Sequence, residues 1–170
     1  MLGQSLLSEL KYEAENTRKL FYAIPDDVLD YKPNDFNWTI AELASHTAEV
    51  YYWRSDTLDK NVLEMTSYKY DRRDISSMKH IIQRFEENLA GAIDSLKDYP
   101  DERFMENWVM QVNGVDLMPP MPRIQVVRGF LMNHLYHHRG ELVAYLRAAG
   151  KPVPGLYGPS YEEQKAINNG

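Results

Sequence analysis

The chain has 170 residues, 44% hydrophobic and 26% charged, which suits a single soluble domain, residues 1–170, with a substantial core. Its net charge is −6 and its Lys and Arg residues are scattered (the densest pair, Arg72–Arg73, sits between Asp71 and Asp74), so electrostatics give no support for nucleic-acid binding. With no cysteine, disulfides, thiolate ligands and a protein thiol nucleophile are all excluded: a metal would need His, Asp or Glu, and thiol chemistry would need a small-molecule thiol.

The opening stretch MLGQSLLSELKYE lacks a basic n-region and does not read as a signal peptide. No run approaches the roughly 18 apolar residues of a membrane span. A cytoplasmic location is the expectation. A first helix is predicted from Leu2 to Ile24, with Leu6, Leu10, Ala14, Thr17, Phe21 and Ile24 at three- and four-residue steps. Pro25 ends it, and Pro25 to Trp38 reads as loop. A second helix opens at Thr39, where Glu42 three residues on completes a capping box. Its inner face is Leu43, His46 or Thr47, Val50 and Trp53, and it ends near Asp59–Asn61. The polar segment Val62 to Ile75 reads as a connection.

A third helix starts at Ser76 or Ser77 and carries Met78, Ile82, Phe85, Leu89, Ile93 and Leu96 on one stripe, stopping before Pro100. The connection from Asp98 to Pro122 is long enough to imply structure of its own. Asn113–Gly114 between Trp108–Val112 and Val115–Met118 predicts a small hairpin. The fourth helix spans Arg123 to Gly150, with Ile124, Val127, Leu131, Leu142, Tyr145 and Ala149 on its apolar face. Pro152 follows, and residues 151–170 form an extended tail with a short helix from Ser160. Four amphipathic helices imply an all-α four-helix bundle.

His134 and His138 interrupt the apolar face of the fourth helix, stacked at a four-residue spacing where Leu or Val belongs. Two hydrogen-bonded core histidines would fit that spacing as well as a metal site would. His46, mid-helix on the inner stripe of the second helix, supplies a third imidazole and favours the metal. Three neutral imidazoles around one divalent ion leave a position open for water or substrate. Zinc and nickel suit such ligands, and iron or manganese remain candidates. Glu141, one turn from His138, is the candidate base or hydrogen-bond partner of a ligand, and Glu42 before His46 is a weaker one. His80 and His137 read as surface residues. Trp108 reads as a buried hairpin side chain or a lid over the site, Arg139 as the partner of a carboxylate, and Tyr157 as an anchor for the tail. Tyr51, Tyr52, Trp53 and Tyr136 read as packing or a dimer face.

The run HLYHHRGELVAYLR from His134, then Gly150, Val153–Pro154 and Tyr157–Gly158, resembles the end of the DinB/YfiT-like family of metalloenzymes. The opening Trp38-Thr39-Ile40-Ala41-Glu42, with His46 following, resembles that family's second-helix motif, so the likeness spans essentially the whole chain. The resemblance implies an up-down-down-up bundle, often a homodimer, with a ligand triad on His46, His134 and His138. Family members include thiol-dependent S-transferases using bacillithiol and isomerases using mycothiol; many have no assigned reaction. Glu141 stands where the family often has Gln. The implied function is metal-dependent transfer or hydrolysis on a small electrophilic substrate, with a divalent metal and a low-molecular-weight thiol. The alternative is a non-catalytic stress-response bundle, or a dimeric interaction protein with a structural or empty histidine site.

Overall fold

Four long helical rods carry the structure, a computed structural model that describes residues 1–69 and 74–169; Asp71, Arg72 and Arg73 lie outside the described residues. Helix α1 spans Leu2–Tyr22, α2 Ile40–Asp59 and α3 Met78–Lys97. The fourth rod is continuous but not uniform: α4 is Arg123–Gln125, a π-helical stretch follows over Val126–Met132, and α5 is Asn133–Ala148. A last helix, α6, spans Tyr161–Asn169. Short 3-10 turns at Asp26–Val28 and Asp101–Met105 sit in the first and third connections.

Side-chain pairs fix the helix directions. Arg18 of α1 pairs with Glu86 of α3 while Gly3 N donates to Asp101 just past α3, so α1 and α3 are antiparallel. Arg84 with Ser45, Asn88 with the Ala48 carbonyl and Tyr99 with the Leu58 carbonyl make α2 and α3 parallel. His46 beside His134, and Trp53 beside Phe130, make α2 and α5 antiparallel. The order is up-down-down-up. Two consecutive parallel helices require the chain to return along the bundle, which the connection after α2 does.

That return builds what an all-α expectation lacks. Strand β1 (Val62–Glu64) pairs in parallel with β2 (Asn107–Val112). β2 turns through Asn113 and Gly114 into β3 (Val115–Asp116), and β4 (Met121–Pro122) pairs with the other end of β2. Both turn residues have positive φ, 53° and 72°, the conformation for which Asn-Gly is suited. The hairpin prediction therefore holds, and the bundle is corrected to a helical fold with a four-stranded sheet. Strands of two or three residues carry no periodicity, and β1 forms only because β2 is brought beside it.

The core runs through α1, α2, α3 and α5, with Leu10, Phe21, Leu43, Phe85, Leu131 and Leu142 all buried. Thr39 caps α2 as predicted, with Glu42 closing the box. Arg123 starts the fourth rod with its side chain fully buried, donating to the Thr57 and Lys60 carbonyls, to Asn61 and to Glu106. It ties the end of α2 to the foot of the fourth rod, a relation that sets α2 and α5 face to face.

Candidate metal centre

His46, His134 and His138 converge between α2 and α5. Each offers one ring nitrogen, and the three nitrogens lie within 4.8 Å of one another. His46 Nε2 and His134 Nε2 are 3.3 Å apart. Two imidazoles on a tetrahedral ion at the usual metal–nitrogen distance would sit about 3.3 Å apart, so the spacing fits. His138 Nε2 and His134 Nδ1 are buried with no hydrogen-bond partner, although buried polar nitrogens are ordinarily satisfied. An orphaned imidazole nitrogen aimed at two others is what a cation would complete.

The electrostatics agree. Burial pushes the pKa of His134 down from 6.5 to about 4, and the neighbouring histidines push the same way. Burial also lowers His138, against the opposing pull of Glu141. Both rings are thus held neutral near pH 7, the form that binds a metal.

Two of the three rings have a carboxylate behind them. His138 Nδ1 is 2.6 Å from Glu141 Oε2. His46 Nδ1 is 3.5 Å from Glu49 Oε2, at ion-pair distance. Each carboxylate lies three residues after its histidine, one helical turn on. That spacing identifies Glu141 from the sequence. Glu49 is not among the residues singled out from the sequence, although His46-x-x-Glu49 repeats the spacing of His138-x-x-Glu141. Glu42 has no part in the site, because its Oε2 accepts from Thr39 N at 2.8 Å in the capping box.

Aromatic rings wall the cluster. Trp38 lies 4.9 Å from His46 and 6.2 Å from His138, centroid to centroid. Trp53 lies 5.4 Å from His46 and 5.5 Å from His134, and stacks on Phe130 at 5.7 Å. Phe130 belongs to the π-helical stretch, whose wider turn falls directly before the histidines; such insertions are frequent at functional sites. Trp108, by contrast, is buried against Leu63, Met110 and Val126 and is not a lid. Trp38 takes the rim position. A pocket of about 230 Å³ reaches His138 past Asn37, Trp38, Leu43, Glu141 and Tyr145. Asn37 Nδ2 donates to the Tyr145 hydroxyl at 2.6 Å, closing one wall.

The other singled-out residues are not members of the triad, although the His137 ring lies 5.0 Å from that of His138 and, with His138 and Glu141, forms a second group that could hold a cation. His80 is exposed, beside Ser77 and Asp74. His137 is exposed, with Nε2 3.4 Å from Glu141 Oε1. Arg139 is buried and pairs with Glu13, and Tyr157 reaches the same carboxylate at 2.6 Å, anchoring the tail to α1.

Comparison with known proteins finds relatives of this chain. A family model described as the DinB family matches residues 1–169. The uncharacterised protein YrdA of Bacillus subtilis (strain 168) is 27% identical over 158 residues, 92% of this chain and 89% of that protein. A DinB-like protein from Bacillus cereus ATCC 10987 superposes with a TM-score of 0.68 at 24% identity, covering 91% of this chain and 97% of that one. The DinB-like protein YjoA from Bacillus subtilis does so with 0.71 at 15% identity, covering 89% and 97%. At those identities the two structures speak for the fold alone.

Proposed function

The chain belongs to the DinB family, and on that premise we propose that it is a metal-dependent enzyme in which His46, His134 and His138 hold one divalent cation and leave a position open toward the Trp38 pocket. The observation that carries this is the convergence of three imidazole nitrogens within 4.8 Å, with the buried His138 Nε2 unpartnered. Histidines kept only for packing would be hydrogen-bonded to protein groups.

His46, His134 and His138 would hold a cation whose Lewis acidity would lower the pKa of a bound water or thiol. The protein's own groups do the rest. Glu141 fixes the ring of His138 and lines the pocket, where it would take a proton from a group bound there. Trp38 and Leu43 line the pocket beside the polar groups of Asn37, Glu141 and Tyr145. The proposed substrate, by the family resemblance, is a small electrophile. The chain has no cysteine, so in a transfer reaction the nucleophilic sulfur comes from a low-molecular-weight thiol. Thiol S-transfer is the first reaction class to test, and hydrolysis the second. Imidazole ligands favour zinc or nickel, with iron and manganese next. A homodimer is the proposed assembly.

The test is elemental analysis of protein purified without a His-tag or a chelating column, beside His134→Ala. About one equivalent of metal in the parent, lost in the variant, is the expected result. A screen of thiols against small electrophiles then follows. No metal in either protein, and no thermal shift with zinc, nickel or manganese, would overturn the reading in favour of an interaction module.

A further inference from the structure

Glu49 is buried on α2, one turn beyond His46. A buried carboxylate is costly unless a cation or several donors meet it. Its Oε1 accepts the Tyr68 hydroxyl at 3.1 Å, and its Oε2 lies 3.5 Å from His46 Nδ1. Among the described residues, neither Arg nor Lys forms an ion pair with it. Tyr68 in turn accepts the indole N–H of Trp53, the ring that packs on both His46 and His134. Tyr68 follows β1, its backbone N–H bonded to the Met65 carbonyl. The carboxylate is thus pinned between α2 and the chain that leaves the sheet.

An anion fixed behind one nitrogen of an imidazole decides which nitrogen carries the hydrogen. With Nδ1–H facing Glu49, the lone pair of His46 sits on Nε2, the atom that points at His134. A cation on Nε2 would supply the positive charge that the buried carboxylate lacks, and would make Nδ1–H a better donor toward it.

We infer that Glu49, held by the Tyr68 hydroxyl, is a positioning residue of the metal centre: it orients His46 and supplies an anion that balances a divalent ion. This rests on reading His46, His134 and His138 as that centre. It has a consequence that a merely structural role does not share. Removing the carboxylate takes an unbalanced buried charge out of the metal-free protein, so metal affinity falls while metal-free stability holds or rises.

The experiment titrates the full chain with cobalt(II), read by its visible d–d absorption against a competing chelator, and measures melting after exhaustive chelation. Parent, Glu49→Gln, Tyr68→Phe and His134→Ala are compared. Glu49→Gln is expected to bind cobalt about 10- to 100-fold more weakly, with an altered d–d spectrum and a metal-free Tm at or above the parent's. Tyr68→Phe is expected to weaken binding by a smaller factor in the same direction, and His134→Ala to abolish the spectrum. Equal affinity in parent and Glu49→Gln, with no cobalt spectrum in His134→Ala, would overturn the role of Glu49 and leave the metal centre standing. A Glu49→Gln protein that is less stable than the parent without metal, or unfolded, would overturn it too. A parent that binds no cobalt would overturn the centre and the inference together.

Discussion

The Nδ1 of His138 lies 2.6 Å from Oε2 of Glu141, one helical turn further along α5. The contact orients the ring so that Nε2 faces the other two histidines. Glu141→Ala removes the acceptor and is expected to weaken cobalt or zinc binding about 10- to 100-fold by chelator competition. Glu141→Gln keeps a carbonyl oxygen for the same N–H and should lose much less. Equal losses in both variants would mean that the charge, not the orientation, matters.

Trp38 and Trp53 touch the histidines, while Trp108 is packed against Leu63 and Met110. Nickel or cobalt at the triad should therefore quench two of the three tryptophans. Trp38→Phe is expected to remove part of the quenchable emission and leave the metal stoichiometry at one. Loss of stoichiometry in that variant would place Trp38 in the support of the ligands instead of the rim of the pocket.

Arg139 and Glu13 form a buried pair that also holds Tyr157, so the residue next to His138 is tied to α1 and to the tail. Truncating one member leaves a buried charge without its partner, which costs about 3 to 5 kcal/mol. Arg139→Ala or Glu13→Ala should lower Tm by roughly 10 °C in a chain of this size. Replacing both at once should cost less than the sum of the two single changes. Strict additivity, measured by thermal melts of the three variants, would show that the pair is not coupled.

Glu64 accepts the backbone N–H groups of Thr66, Asn113 and Gly114, and the Thr66 hydroxyl first, then these backbone bonds, draw its pKa from 4.5 down to about 2. The folded value lies below the unfolded one, so its contribution is complete above about pH 4.5 and is lost as pH falls toward about 2. Amide exchange at Asn113 and Gly114 should therefore lose protection across that window in the parent. In Glu64→Gln the protection should be lower at neutral pH and flat below it. A parent with pH-independent protection would show that Glu64 does not hold the turn.

The sequence by itself determined the four helices, the Thr39 capping box, the Asn113–Gly114 turn and the choice of His46, His134 and His138. Each is a local signal: amphipathic period, cap chemistry, positive-φ residues, or histidines standing where an apolar stripe needs Leu. Near-neighbour physics writes such signals into a few consecutive residues. Only the tertiary structure decided that β1 joins β2, that Trp38 and not Trp108 stands at the site, and that Glu49 meets Tyr68. Tyr68 comes to Glu49 across a connection and a strand, and no periodicity records which loop residue will arrive there. Two parallel helices force the chain back along the bundle, and the return path brings Tyr68 to the carboxylate. The three histidines were legible because helical spacing places them; the groups packed beside His46 were decided by topology.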